Sequence, residues 1–250
     1  MTSNNIRKRL QELGDKKHAA VSQKFFKTGP GEYGEGDIFL GIRVPVLRNL
    51  AKEYPDLSLK DIKMILKSKY HEERLLALLI MVAQYAKGDH KRKLEIYGLY
   101  LESTEFINNW DLVDLSAHKI VGPFLMKQSR KPLYDLARSD RLWERRIAIM
   151  ATFHFIKNND FKDTLKIAQQ LLRDPEDLIH KAVGWMLREI GKRHLQTEET
   201  FLKKHYNIMP RTMLRYAIEK FPESKRKRYL EKIKFYPGPD ADVPNVSPKI

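Results

Sequence analysis

Four segments of this 250-residue chain resemble one another at a nearly constant interval. EERLLALLIM (72–81), NNWDLVDLSA (108–117), ERRIAIMATF (144–153) and HKAVGWMLRE (180–189) each read as the start of an apolar helix. Aligning them makes Leu75, Trp110, Arg146 and Lys181 equivalent, at spacings of 35, 36 and 35 residues. Such a period marks stacked helix pairs, because one pair cannot bury its apolar face alone but a row of pairs can. A fifth unit, PRTMLRYAIE (210–219), puts Thr212 in the same position after 31 residues, a shortening suited to a terminal repeat that must be capped. The expected fold is all-α, a HEAT-like helical-repeat solenoid (α-α superhelix) with a concave basic groove.

The spacing of apolar residues agrees with this. Ile62, Ile65, Leu66 and, further on, Leu165, Ile167, Ala168, Leu171, Leu172 follow the helical period. The best strand candidate, the apolar run 38–44, is read as a loop entering a helix because Pro45 and nearby glycines interrupt it. Breaks at 28–36, 54–57, 88–90, 158–160, 173–177 and Pro222 divide the chain into expected helices of roughly 12 to 20 residues. The stretch TGPGEYGEG (28–36) lacks the Gly-Lys-Ser/Thr ending and the preceding strand of a phosphate loop. A single domain is expected over 1–235, followed by a Pro-rich C-terminal tail, 236–250, read as an extended or disordered arm.

Charge then narrows the partner. The chain carries 47 Lys and Arg against 32 Asp and Glu, a formal net charge of +15, which calls for a polyanion, and nucleic acid above all. There is no cysteine, so no disulfide, thiolate nucleophile or cysteine zinc site is available. The histidines are too dispersed for a metal motif, and neither a Gly-x-Ser-x-Gly elbow nor a dinucleotide fingerprint is present. No metal and no cofactor is expected. The longest apolar run, 75–83, is too short to span a bilayer, and the first 17 residues lack a signal-peptide core, so a cytoplasmic monomer is expected.

Stacking sets equivalent positions side by side. One position carries Trp110, Arg146 and Lys181; one turn later come Asp114, Met150 and Trp185. Arg145 and His118 lie beside this strip, and Arg188 follows Trp185. Taken singly, a helix Trp is usually core and a lone Asp or Arg usually a solvated or capping residue. Their coincidence on one repeat phase argues for a shared site.

The strings NNWDLVDLSA, WERRIAIM and HKAVGWMLREIGK, in this order and at this spacing, together with FLGIRVPVLRNLAK (39–52), resemble the AlkD-type DNA alkylation-repair glycosylases. The likeness spans roughly residues 20 to 222. It implies a monofunctional, cofactor-free enzyme that hydrolyses the N-glycosidic bond of cationic alkylated purines, such as N3-methyladenine and N7-methylguanine, in duplex DNA, the first step of base excision repair. It implies Asp114 as the catalytic carboxylate, Trp110 and Trp185 as the aromatic groups beside it, and Arg146 as a backbone contact. Lys181, Arg188, Arg145, Arg48 and Phe25 join the expected DNA-binding set. Where the family carries a Tyr near the N-terminus, Phe25 stands here without a hydroxyl. The Gly-rich 28–36 loop has no family counterpart. The alternative is a non-catalytic HEAT-like protein that binds DNA structure or RNA. Asp114 distinguishes them, because a carboxylate in the path of an anionic ligand weakens binding unless it does chemistry.

Overall fold

The computed structural model describes residues 2–231, so the tail expected at 236–250 and the domain boundary at 235 lie outside the described residues. The helices, in order, are α1 (Ser3–Leu13), α2 (Lys16–Phe25), α3 (Val44–Glu53), α4 (Leu59–Leu66), α5 (His71–Lys87), α6 (His90–Glu102), α7 (Trp110–Leu125) and α8 (Lys131–Leu136). They continue with α9 (Leu142–Ala151), α10 (Phe153–Lys157), α11 (Lys162–Gln170), α12 (Asp177–Gly191), α13 (Leu195–His205), α14 (Arg211–Ala217) and α15 (Glu223–Leu230). The 38–44 run forms only an isolated bridge from Ile38 to Tyr70 before Pro45 opens α3.

α3, α5, α7, α9, α12 and α14 pack one against the next in a row, and α4, α6, α8, α11 and α13 back them from the second layer. This is the HEAT-like solenoid that the repeat implies. α5 has helices packed on both sides and behind it, and every residue from His71 to Met81 is buried. Two glycines let helices of adjacent repeats come close. A Cβ on Gly122 of α7 would stand 2.3 Å from the Ala151 carbonyl, and one on Gly184 of α12 would stand 2.4 Å from that of Met213.

Several helices are shorter than the expected 12 to 20 residues, because breaks without Gly or Pro divide them. α9 stops at Thr152, whose hydroxyl donates back to the Ile149 carbonyl, and α10 resumes at once. The 3-10 turn Thr104–Phe106 and Asn108–Asn109 delay the start of α7. Leu75, Arg146 and Lys181 are each the fifth residue of their helices, whereas Trp110 is the first of its own. The strip read from the sequence is therefore offset by a turn at Trp110. Met150, expected in it, is fully buried core.

Candidate active site

The site is built on α7. Asn109 caps the helix, its side-chain oxygen accepting from the Trp110 amide at 2.8 Å. Trp110, Asp114 and His118 then follow at one-turn intervals on a single face. Both carboxylate oxygens of Asp114 accept from the Arg146 guanidinium of α9, Oδ1 from Nε at 2.9 Å and Oδ2 from Nη2 at 2.8 Å. The remaining arm of Arg146 donates to the Leu178 carbonyl of α12 at 2.5 Å. Burial pushes the Asp114 carboxyl above its ordinary range, with the nearby Asp111 adding to the effect, while Arg146 pulls against both. The Asp114 side chain retains 14% exposure against 6% for Arg146, so the carboxylate, not the guanidinium, is what a ligand can reach.

Arg146 therefore cannot serve as the phosphate contact expected from the sequence: all three of its guanidinium nitrogens are engaged, and the side chain is buried. Arg145 is likewise committed, to Asp174 at 2.6 Å and to the carbonyls of Ser139 and Asp140. Arg188 is held by Glu219 of the neighbouring repeat. Lys181 pairs with Asp177 at 2.8 Å but stays partly exposed. The repeat phase did not show that carboxylates of the same and neighbouring repeats meet these cations. Of the expected cationic set, Arg48 on α3 is exposed and in no ion pair among the described residues.

Unpaired cations gather instead at the other end of α7. Lys119, Lys157 and Lys93, with His118 and His154, surround a depression of about 370 Å³ floored by Val82, Tyr85, Ala86 and Pro123. Desolvation, then Arg48 and Lys157, lowers the pKa of Lys119. Burial, then Lys157 and Lys119, depresses His118 to about 4, so its ring is neutral at pH 7. A field that depresses its own members in this way is one that an anion relieves.

The tryptophans are differently supported. Trp185 donates its indole N–H to Glu189 at 3.1 Å and leans on Phe153, which also meets His118 edge-on. Trp110 is stacked on Phe26, centroids 5.2 Å apart and planes 17° from parallel, so one of its faces is already covered. Phe25 meets Trp110 edge-on at 6.0 Å.

Behind Trp110 lies a buried ionic network that the sequence reading did not find. His71 of α5 places Nδ1 3.1 Å from Asp37 and Nε2 2.8 Å from Asp111. With a carboxylate at each nitrogen, both must carry a proton, and the two acids hold its pKa up at about 9 against the opposing effect of burial. Phe39 stacks on one side of the ring at 4.5 Å, and Phe26 lies 5.0 Å from it. Asp37 also accepts from Arg74, Asn108 and Asn109. It stands directly after the Gly-rich loop, where Gly31 and Gly36 adopt positive φ. That loop is thus a strut from the network to the site. Its one legible signal was a lone Asp closing the glycine run.

Among the described residues no group of His, Asp and Glu is placed to hold a metal ion, and no helix is long and apolar enough to cross a membrane. The fold is a helical-repeat solenoid that carries a carboxylate gripped by an arginine of the next repeat. The chain belongs to the DNA alkylation repair enzyme family, whose model matches residues 6–221. It is similar in fold to a structure from Enterococcus faecalis described as a predicted DNA alkylation repair enzyme, with a TM-score of 0.66 at 17% identity, covering 84% of this chain and 98% of that one. It is also similar to AlkD2 from Streptococcus mutans, with a TM-score of 0.52 at 19% identity, covering 83% and 99%. No curated protein sequence matches.

Proposed function

We propose that the protein is a DNA glycosylase that excises cationic alkylated purines, N3-methyladenine and N7-methylguanine among them, from duplex DNA. The observation that carries this reading is Asp114: a partly exposed carboxylate on the Trp110 face of α7, gripped on both oxygens by the Arg146 fork.

The chemistry needs little more. A purine alkylated at N3 or N7 carries positive charge, so it departs as a neutral base once it takes the electron pair of the C1′–N bond, and no general acid is required. Positive charge then develops on the deoxyribose, where the fixed Asp114 carboxylate stabilises it. Water adds its oxygen to C1′ and loses a proton towards Asp114. Each carboxylate oxygen has a further lone pair beyond the one Arg146 occupies. Arg146 becomes a positioning residue in this account. The open face of Trp110 and the ring of Trp185 offer π surface to the cationic nucleotide. Arg48, Lys119 and Lys157 hold phosphates, which sets position without reading sequence.

The test is release of free base from duplex DNA containing N7-methylguanine, by the native protein, by Asp114→Asn and without protein. Release by the native protein alone supports the reading. Tight, salt-sensitive binding with no release would instead favour the non-catalytic DNA-structure binder.

A further inference from the structure

The start of α7 is gripped on both sides of Trp110. Asn108 and Asn109 donate to the Asp37 carboxylate at 3.3 and 3.2 Å, and Asp111 lies 2.8 Å from Nε2 of His71, whose other nitrogen reaches Asp37. The second oxygen of Asp111 accepts from the Leu112 amide at 2.9 Å, so the same carboxylate joins His71 to the first turn of the helix. The indole is held by a different route. His71, Phe39, Phe26 and Trp110 form one pile of rings, with successive centroids 4.5, 4.9 and 5.2 Å apart and successive planes 23°, 22° and 17° from parallel. An imidazolium at the end of such a pile is drawn to the Phe39 face. His71 thus touches both the backbone that carries Trp110 and the stack that carries its ring. His71 and Asp37 are 1% and 3% exposed, so neither can reach a ligand.

We infer that His71 and Asp37 are positioning residues of this site: the imidazolium held between Asp37 and Asp111 fixes the first turn of α7 and, through Phe39 and Phe26, the ring plane of Trp110, so that the indole and the Asp114 carboxylate one turn on meet the same nucleotide. The inference rests on the glycosylase reading for its reaction. Two grips then act on one helix, Arg146 of α9 on Asp114 and His71 of α5 on Asp111. They are also linked electrostatically. Asp111 stands close enough to Asp114 to push its pKa up, and the imidazolium offsets that charge. The charged groups that face the His71 ring are Asp111 from α7, Asp37 from the Gly-rich loop and Arg74 from α5 itself. Glu72 and Glu73 of α5 turn away, the first to the amides of Leu40, Gly41 and Ile42 and the second to Arg7 of α1. Phe26 and Phe39 bring no charge.

The experiment follows tryptophan emission and single-turnover release of N7-methylguanine from duplex DNA between pH 6 and 9.5, with helical circular dichroism recorded at each step and release without protein subtracted. His71 gives up its extra proton at about pH 9, so in the native protein both signals should change with a midpoint there while the dichroism holds. His71→Gln should lower the release rate at pH 7 by about 10- to 100-fold, the scale of displacing a reacting group by up to about 1 Å, and should lose the midpoint. Its affinity for a duplex carrying a tetrahydrofuran abasic analogue should stay as in the native protein, because no group that touches DNA is altered. Trp110→Phe should remove the emission change. Phe39→Leu, which leaves the ionic contacts in place, should slow release and blunt the emission change, and it serves where His71→Gln does not fold. A native rate and emission that stay flat to pH 9.5 would overturn the inference and leave the glycosylase reading standing. Rate and affinity falling by equal factors in His71→Gln would overturn it too, because that is general loosening of the fold. If the native protein releases no base at any pH, the glycosylase reading fails; an emission midpoint near pH 9 that Trp110→Phe removes would still support the hold on Trp110, and its absence would overturn it.

Discussion

His71 ties protein stability to alkaline pH. Its two nitrogens each face a carboxylate, so folding favours the doubly protonated ring and raises the pKa from 6.5 to about 9. A raised histidine stabilises fully below the unfolded value and ceases to do so as pH rises through the folded one. The difference, 9 − 6.5 = 2.5 units, at about 1.36 kcal/mol per unit, amounts to about 3 kcal/mol lost between pH 6.5 and 9. Asp37, lowered against burial by His71, Arg74 and Asn109, contributes a constant amount across this window, because a depressed carboxylate loses its contribution only at acid pH. The assay is urea unfolding of the native protein and of His71→Gln at half-unit steps from pH 6 to 9.5. Subtracting the two curves cancels every other group that titrates in the range. The difference should fall by about 3 kcal/mol across that window, with a limiting slope near 1.36 kcal/mol per unit. A pH-independent difference would refute the argument, because it would mean that the ring is neutral in the fold and that one carboxylate faces a lone pair.

Other perturbations test separate parts of the structure. Glu198 is buried with Oε1 unpartnered, and burial pushes its pKa up to about 8, opposed by Arg188 and Lys225; its raised value means stability falls as pH climbs from 4.5 through 8. Glu198→Gln should flatten that decline and be more stable by about 2 kcal/mol at pH 7.5, well under the linkage limit because an amide must then be buried, as denaturant titration would show. Lys119→Ala/Lys157→Ala should reduce the slope of log affinity against log salt by about 1.8, at 0.9 per phosphate contact, in duplex-binding titrations. Arg145→Ala should leave that slope alone and lower the melting temperature instead, because it strands the buried Asp174. Gly184→Ala should cost about 1–3 kcal/mol, because the new methyl meets backbone of α14 that cannot move aside, and calorimetry would register a melting point lower by about 3–10 °C.

The repeat phase carried the reading of the fold, since the period of 35 to 36 residues survives even where the helices break. It also carried Asp114, whose place a turn after Trp110 follows from helical geometry alone. The pairing of cations was hidden. Arg145 and Arg146 are adjacent and identical in type, yet one reaches Asp174 and the other Asp114, a distinction set by packing between repeats. The network of Asp37, His71 and Asp111 joins residues 34 and 40 positions apart with no shared period, so nothing in the pattern could point to it. The break at Thr152 rests on one hydroxyl competing for a carbonyl, a contest that most helix threonines lose.

Arg146 touches α7 with two arms and α12 with the third, while belonging to α9. The unit that fixes Asp114 in place is accordingly a run of three adjacent repeats, although the scaffold is modular. A chain of this architecture can gain or shed units at either end without touching its chemistry. An insertion or deletion of a whole repeat between Asp114 and Leu178 would preserve the stacking and still erase the site. Growth of such a scaffold is thus free at the ends and frozen at the centre, and a periodic molecule keeps one place unlike all its copies.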